Sequence, residues 1–348
     1  MSLSEFFYLV ANQKELWLPL LLIVGVIFVN GWTDAPNAIT ASVSTGALNL
    51  RSGIILAAIF NFAGALIMGL FNTSVLKSVE KITLMIGNSN GNSLPILASA
   101  LVSIILWSTA AWYFGIPTSE SHALISGIFG AAVAYNGGLR GLDASALYLA
   151  VVGLILSLPI GFVGGAIAGK ITEIVSYNTK HSKKGKVTRA IQRIGSAAMA
   201  FMHGAQDSQK FAGVFVAALS MCGQTNRLND SPLWLTILCS VVMAFGTAVG
   251  GYRIIKRVGM DTVDLTPEKG LAADFSAAAC MLAASFGGIP VSTTHTATAS
   301  VIGAGMSSKR GKINVKSVRE MILAWILTFP CCGIMSYITV TVYIFLLK

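Results

Sequence analysis

Long apolar stretches separated by short polar or Gly/Pro-rich breaks dominate the chain. A helix needs about 20 predominantly apolar residues to cross the hydrocarbon core of a bilayer. Such stretches predict ten membrane segments, at residues 16–47 (interrupted), 53–72, 94–114, 117–135, 145–169, 190–222 (interrupted), 233–251, 270–288, 291–306 and 319–346. The pattern therefore predicts an all-α integral membrane protein.

The composition agrees with a membrane environment. Of the 348 residues, 54% are hydrophobic and only 11% are charged, and the mean hydropathy is +0.73. A soluble domain carries about 25% charged residues. So few charges could not cover the surface of a soluble protein, which argues against a cytosolic enzyme, a nucleic-acid-binding protein and a disordered chain. The five cysteines lie mostly in apolar segments without metal-ligand spacing, and we expect them to act as small buried hydrophobic residues.

The net charge of +10 is unevenly distributed around the predicted segments. If all ten segments cross the bilayer, most of the 24 lysine and arginine residues fall on one side. The positive-inside rule makes that side cytoplasmic and places both termini outside the cell. The basic linker at residues 170–190 then faces the anionic lipid of the cytoplasmic leaflet. The excess of positive charge thus indicates topology in the plasma membrane, and no nucleic-acid partner is expected.

Two polar motifs each occur twice, at the same spacing. Residues 30–38 (NGWTDAPNA) resemble residues 203–211 (HGAQDSQKF), and residues 115–123 (GIPTSESHA) resemble residues 288–296 (GIPVSTTHT). In both pairs the offset is 173 residues, from Asp34 to Asp207 and from His122 to His295. A shared offset indicates a duplicated unit. We therefore divide the chain into a first repeat at residues 1–169, the linker at 170–190 and a second repeat at 191–348.

The duplication also predicts how the two units enter the membrane. Each unit contains five predicted segments, and because five is odd, the second unit must enter from the opposite side. Secondary transporters commonly have such inverted-topology repeats, with broken helices at the repeat interface. We therefore expect a transporter architecture of this kind.

Asp34 and Asp207 are predicted to lie inside membrane segments. A carboxylate near mid-membrane costs about 2.5 to 3.5 kcal/mol even on the lenient insertion scale, so both need partners. Glycines in both motifs, and Pro36 in the first, predict that residues 31–36 and 204–209 interrupt their helices. Unwound carbonyls beside a carboxylate suit a small cation, and sodium is the candidate ion. The alternative is a pair of kinks whose aspartates bond to neighbouring helices. The predicted cation contacts are Asp34, Thr33, Asn37, Asp207, Gln206 and Ser208.

The second motif has chemistry that suits an anion. Pro117 and Pro290 fit the first turn of a helix, and serine and threonine residues follow each of them. Free backbone N–H groups, hydroxyl donors and the positive end of the helix dipole converge at such a start. Two such starts at the repeat interface could enclose a tetrahedral oxyanion, whereas each alone could be an ordinary helix cap. The candidate substrate ligands are Thr118, Ser119, Ser121, His122, Ser292, Thr293, Thr294 and His295, with Asn37, Gln209 and Lys210 from the first motif.

Several polar residues have more than one interpretation. His122 and His295 could bond to substrate or a gate, pack between helices, or relay protons. Glu120 is a candidate coupling carboxylate or a helix N-terminal acid, because its counterpart in the second repeat is a threonine. Lys210 could pair with Asp207 one turn away or neutralise the substrate. Asp274 is expected near the start of its helix, and His203 is expected to bond to exposed backbone at the second break.

These motifs together resemble the inorganic phosphate transporter family, Pit/PiT. The resemblance rests on the two Gly-x-x-Asp motifs and the paired Gly-Ile-Pro-x-Ser-x-x-His motifs, and it spans nearly the whole chain. It implies a homodimeric carrier that imports inorganic phosphate with protons or sodium, with no other cofactor. It also implies cation and substrate contacts at Asp34, Asn37, Asp207 and Ser208, and phosphate donors at Ser119, Ser121, Ser292, Thr293 and Thr294.

The sequence departs from the family pattern beside both aspartates. Thr33 and Gln206 stand where the family has asparagine, and Lys210 stands where the first motif has Asn37. A fixed positive charge beside one aspartate could replace a bound sodium ion. The resemblance therefore supports phosphate as the substrate better than it supports any particular coupling ion.

Three other functions stay open on the sequence alone. A sulfate permease could use the same fold, and an uncoupled anion channel could use the same anion site. An intramembrane aspartyl protease would use Asp34 and Asp207 as a catalytic dyad. Against the protease, Ala205 and Gln206 precede Asp207 in place of a Gly-x-Gly-Asp signature, and the duplicated hydroxyl-rich motifs would have no purpose. We therefore expect a transporter and no enzymatic activity.

Overall fold

The computed structural model describes residues 1–87, 92–116, 118–139, 142–177, 181–223, 232–249, 255–256, 258, 262–307 and 313–346. Pro117, expected at a helix start, lies outside these residues. Apart from an isolated bridge between Val263 and Ile313, the described regular structure is helical. The all-α prediction is therefore confirmed.

The helices follow the predicted apolar stretches closely. The bounds are α1 Leu3–Asn12, α2 Trp17–Thr33, α3 Thr40–Ser44, α4 Leu50–Phe71, α5 Ser74–Thr83, α6 Ser93–Tyr113, α7 Glu120–Tyr135, α8 Ala144–Tyr177, α9 His181–Met221, α10 Leu233–Val249, α11 Pro267–Phe286, α12 Thr293–Met306 and α13 Val315–Leu346.

Five helical stretches are long and apolar enough to cross a membrane. They are Lys14–Ser44, Leu50–Phe71, Ser93–Tyr113, Ala144–Val175 and Val315–Leu346, and the shorter α10 is also apolar. Large apolar side chains such as Ile59, Ile167 and Ile326 are exposed on their outer surfaces. A soluble protein rarely exposes so much contiguous apolar surface, whereas lipid accepts it. The chain is therefore a multi-pass membrane protein.

The first predicted helix break is confirmed. Helix α2 ends at Thr33, and the chain continues as a 3-10 helix over Ala35–Ile39 before α3 begins. Pro36 lies in the first turn of the 3-10 helix, where its missing N–H costs least. The break leaves Asp34 at the junction of two helical pieces, buried in the protein interior.

The second predicted break, at residues 204–209, is wrong. Helix α9 runs without interruption from His181 to Met221. Gln209 occupies the position equivalent to Pro36 and keeps its backbone N–H, so the helical hydrogen bonds can continue. Gly204 has a packing role, because a Cβ atom at this position would overlap the backbone of Asn61 in α4. Of the two predicted breaks, the described residues therefore contain the one beside Asp34.

Two helices are absent from the sequence prediction. Helix α1 has a capping box, in which Ser2 and Glu5 satisfy each other's backbone N–H groups. Helix α5 is strongly amphipathic and packs against α9. Both have only ten residues, which is too few for a search based on membrane-spanning length.

Asp274 is not at a helix start, as was expected. It lies about two turns into α11 and is buried, where Ser196 Oγ donates a hydrogen bond to its Oδ2 at 2.7 Å. Ser196 in turn contacts the hydroxyl of Ser42 in α3. The carboxylate therefore holds α3, α9 and α11 together.

Candidate functional site

The predicted functional residues converge in the centre of the helical bundle. The end of α2, the middle of α9 and the N-termini of α7 and α12 meet there. Asp34 and Asp207 are each only 1% exposed. Such burial of carboxylates requires specific partners, and the structure shows which groups provide them.

The starts of α7 and α12 meet tip to tip. Ser119 caps α7 by accepting a hydrogen bond from the His122 backbone N–H at 3.2 Å, and Ser292 caps α12 by accepting one from the His295 backbone N–H at 3.1 Å. The two serine Oγ atoms lie 2.7 Å apart. Because the first N–H groups of a helix have no intrahelical acceptor, two positive helix ends point into one buried space.

Asp34 is held by neutral donors. Asn37 Nδ2 donates to Asp34 Oδ1 at 2.7 Å, and the Thr294 hydroxyl donates to the same oxygen. Among the described residues, no lysine or arginine forms an ion pair with Asp34. The side-chain oxygen of Asn37 is buried and has no hydrogen-bond partner in the described part of the chain. A carboxylate and an unsatisfied amide oxygen thus lie side by side, which is a donor set that a hard cation prefers.

Asp207 has a cationic partner. Lys210 Nζ lies 2.6 Å from Asp207 Oδ1, so the predicted pairing of these two residues is confirmed. Asn30 Nδ2 donates to Asp207 Oδ2 at 3.0 Å, and His203 Nε2 lies 3.3 Å from the same oxygen. His203 also contacts Asn61 Oδ1 through Nδ1 at 3.1 Å. The expectation that His203 bonds to exposed backbone is wrong, because α9 is continuous and both ring nitrogens of His203 contact side chains.

One hydroxyl connects the two aspartates. Thr293 Oγ1 lies 3.3 Å from Asp34 Oδ2 and 3.2 Å from Asp207 Oδ2. Ligand atoms of Asp34, Asp207 and His203 all lie within 4.8 Å of one another. Two carboxylate charges this close repel each other by about 3 kcal/mol at an effective dielectric constant of about 20. The arrangement therefore favours a positive charge beside each aspartate.

Glu120 is buried beside Asp34 but has its own donors. It is the first residue of α7 and is 2% exposed. The Thr33 hydroxyl donates to Glu120 Oε1 at 2.9 Å, and the Ser108 hydroxyl donates to Oε2 at 2.6 Å. The sequence predicts that Thr33 contacts a cation together with Asp34, whereas in the structure its hydroxyl bonds to Glu120. Glu120 is therefore a helix-start acid, and its role as a coupling carboxylate stays a prediction.

The two motif histidines pack against each other. Their ring centroids are 4.3 Å apart, and the His295 ring also packs against Trp325, with centroids 4.5 Å apart and the rings tilted by 47°. His122 Nδ1 lies 2.9 Å from Ser119 Oγ. The pair therefore lies next to the Ser119 cap and forms part of the packing between the two helix starts.

The remaining predicted residues are buried but are less closely connected to the aspartates. Gln206 donates to the carbonyl oxygens of Ile289 and Met281 at 3.4 and 3.5 Å. Ser208 and Gln209 are buried in α9, and Thr118 lies just before α7. Among the described residues, no hydrogen bond joins the side chains of these three to either aspartate.

Sequence reasoning missed two partners of the site. Asn30 was noted only as part of a motif, although it donates to an aspartate 177 residues away. Ser108 lies in an ordinary apolar helix, and nothing in its sequence context marks it as a partner of Glu120. The shared offset makes Asn30 equivalent to His203, but it pairs Asn30 with Asp34, so the offset gives no signal for the contact of Asn30 with Asp207.

Comparisons with known proteins agree with this geometry. A sequence model described as the phosphate transporter family matches residues 30–336. A protein from Bacillus subtilis is 37% identical over 303 residues, covering 87% of this chain and 89% of its own, and one from Rhizobium meliloti is 31% identical over 322 residues, covering 90% and 94%. Both are named "probable low-affinity inorganic phosphate transporter".

A solved structure shows the same fold. It is described as "the sodium-dependent phosphate transporter", and it superposes with a TM-score of 0.78 over 96% of this chain and 100% of that chain. The sequence identity is 20%, so the likeness concerns the fold alone.

Proposed function

Because the chain belongs to the phosphate transporter family, we propose that it imports inorganic phosphate by symport with a cation, sodium or proton. Phosphate carries between one and two negative charges near neutral pH. Moving it inward against an inside-negative potential costs about 2.3 kcal/mol per charge per 100 mV. Cations that move with the phosphate offset this cost.

The observation that carries the proposal is the meeting of two helix starts beside two buried aspartates. Ser119 Oγ and Ser292 Oγ are 2.7 Å apart, and the first-turn N–H groups of α7 and α12 point to the same place. A tetrahedral oxyanion can accept hydrogen bonds from both sides there. Sulfate has the same shape, but it lacks the proton that HPO₄²⁻ and H₂PO₄⁻ can donate to a carboxylate. The nearby carboxylates therefore favour phosphate.

We assign the residues to two neighbouring contacts. The phosphate donors are Ser119, Ser121, Ser292, Thr293 and Thr294, with Thr118, His122, His295, Asn37 and Gln209 around them. The external cation contacts Asp34 and the unsatisfied oxygen of Asn37, and the carboxylate and amide oxygens suit sodium. Glu120 is the coupling candidate, because it lies in the first turn of α7 and shares the environment of Asp34.

Reciprocal packing supports an inverted repeat. Helix α12 packs on α8 as α7 packs on α13, and α4 packs on α9 as α10 packs on α2. A Cβ atom at Gly31 would overlap the Met243 carbonyl, and one at the equivalent Gly204 would overlap the Asn61 carbonyl. Such reciprocal packing is expected of an inverted repeat, and it fits alternating access by rocking of residues 1–169 against residues 191–348.

The distribution of positive charge around the predicted membrane segments determines the orientation that we propose for the chain in the membrane. The basic residues of the linker face the cytoplasm, both termini are extracellular, and two copies form a homodimer in the plasma membrane. Addition of an impermeant cysteine reagent to intact cells that express a terminal-cysteine variant tests the orientation. Labelling only after permeabilisation would contradict it.

Uptake of labelled phosphate into proteoliposomes tests the function. We expect uptake driven by an inward sodium or proton gradient, weak competition by sulfate, and loss of gradient-driven uptake in Asp34→Asn. The exposed Glu173→Gln variant is the matched control and keeps full uptake. Gradient-independent flux would indicate a channel, and stronger uptake of sulfate than of phosphate would indicate a sulfate permease. Either result would overturn the proposal.

A further inference from the structure

We propose that the ammonium group of Lys210 is a resident cation of the transport site, so that the Asp207 half of the site needs no external cation and only the Asp34 half takes one up. The inference rests on the proposed function and specifies its coupling. It follows from the hydrogen bonds of Lys210, its burial and the comparison of the two repeats.

The environment of Lys210 is that of a bound cation. Its Nζ atom lies 2.6 Å from Asp207 Oδ1, 2.6 Å from Ser121 Oγ and 2.7 Å from the Val291 carbonyl oxygen. A carboxylate, a hydroxyl and a carbonyl are the hard oxygen ligands that bind small metal cations in proteins. These contacts come from α9, α7 and the segment before α12. The ammonium group therefore joins the same elements that a bound ion would join.

The same contacts argue against direct binding of phosphate by Lys210. An ammonium group has three N–H donors, and each of the three has a protein acceptor at 2.6 or 2.7 Å. Lys210 is 1% exposed and is among the largest fully buried side chains. A phosphate oxygen could bind Nζ only by displacing one of these acceptors. The charge of Lys210 thus compensates Asp207.

The first repeat provides an internal comparison. The residue equivalent to Lys210 is Asn37, which donates to Asp34 but brings no charge. The side-chain oxygen of Asn37 is buried without a partner among the described residues, next to a carboxylate that has no lysine or arginine partner there. The two halves of one duplicated site thus differ in charge: the second half contains its own cation, and the first half presents ligands for one.

This asymmetry has a consequence for charge movement. A cation that is part of the protein returns with the site after each cycle, so it adds nothing to the net charge transported. An external cation at Asp34 is released with the phosphate and does add to it. A site with two external cations would therefore move one more positive charge per phosphate than a site containing Lys210.

The decisive variant is Lys210→Asn, which copies the first motif into the second. In proteoliposomes we expect the Hill coefficient of the cation that drives uptake to rise from about one in the unmodified protein to about two. The reversal potential of phosphate flux should shift by the equivalent of one additional positive charge per phosphate. Lys210→Arg keeps a positive charge at this position, and the Hill coefficient of any uptake that it retains should stay near one. The exposed Glu173→Gln variant is the control for unchanged transport.

A binding measurement covers the case in which Lys210→Asn does not transport. Thermal unfolding of the purified variant with and without sodium should show a larger stabilisation than the unmodified protein shows, because a second cation binds the folded state. Equal stabilisation would overturn the inference. Two external cations per phosphate in the unmodified protein would overturn it without any variant, and unchanged coupling in Lys210→Asn would do the same. Absence of phosphate transport by the unmodified protein would instead overturn the proposed function.

Discussion

The same glycine-to-alanine substitution should have opposite effects at two positions of helix α9. A Cβ atom at Gly204 would overlap the carbonyl oxygen, Cα and carbonyl carbon of Asn61, whereas a Cβ atom at Gly185 would meet nothing within 4 Å. The atoms at Asn61 belong to the backbone and cannot rotate away, so α4 and α9 would have to separate. Overpacking of this kind costs about 1 to 3 kcal/mol.

The expected gain at the exposed site is smaller. Alanine in place of glycine in a helix interior favours folding by about 0.5 to 1 kcal/mol, because the unfolded chain has less conformational freedom to lose. Gly204→Ala also receives this gain, which partly offsets the overlap. We therefore expect Gly185→Ala to be slightly stabilised and Gly204→Ala to be destabilised by about 1 to 2 kcal/mol.

Thermal unfolding of the detergent-purified variants, followed by tryptophan fluorescence, measures the difference. The midpoint should rise slightly for Gly185→Ala and fall by several degrees for Gly204→Ala, with a parallel loss of phosphate uptake. If Gly204 served to break the helix, alanine would strengthen α9 there and the midpoint would rise. A higher midpoint for Gly204→Ala would thus refute the packing role that the structure gives to this glycine.

Three further predictions concern buried and exposed carboxylates. Glu120→Gln should retain phosphate exchange between equal concentrations on the two sides of the membrane but lose gradient-driven uptake, as measured by radiotracer flux. Full gradient-driven uptake by this variant would show that Glu120 has no role in coupling. Asp274→Asn should keep nearly normal thermal stability, because an amide can still accept the hydrogen bond from Ser196. Asp274→Ala should lose about 1 to 3 kcal/mol of stability, because it leaves buried hydroxyls without an acceptor. Equal thermal unfolding midpoints for the two variants would contradict this. Hydrogen bonds from the Ser145 side chain and from backbone N–H groups at the start of α8 lower the pKa of Asp143. The stability that Asp143 gives to this helix start is therefore fully present above the ordinary aspartate pKa, and it is lost as the pH falls through the lowered pKa. The protection factor of the Ser145 amide, which is its intrinsic exchange rate divided by its observed rate, should fall on acidification in the unmodified protein and be low at every pH in Asp143→Ala. A pH-independent protection factor in the unmodified protein would contradict the assignment.

The positions of the helices could be predicted because lipid imposes a simple rule on the chain. Every apolar stretch of sufficient length became a helix, and Pro36 correctly marked a break. The glycine in the second motif was ambiguous, since glycine permits both a break and a close helix contact. The choice between a break and a close contact depends on where the backbone of Asn61 in α4 lies, and the sequence around Gly204 does not give that position.

The composition of the site was predictable, but its internal pairing was not. The shared offset identified both aspartates and both hydroxyl-rich helix starts, and the structure brings them together. The offset gave no reason for Thr33 to bond to Glu120 rather than to Asp34. Such choices depend on side-chain directions at the contact of helices that are distant in sequence, and no local pattern fixes these directions.

Helix α9 is long enough to extend from the transport site to a point outside the bilayer. Its 41 residues extend roughly 60 Å, about twice the thickness of the hydrocarbon core, so the basic end projects into water. Gly185 is 22 residues, or roughly 33 Å, from Asp207 along the same rigid rod. A tilt of about ten degrees about Asp207 would therefore sweep that end through roughly 6 Å. A change too small to see at the aspartates becomes a displacement that spin labels at the basic end of α9 can measure.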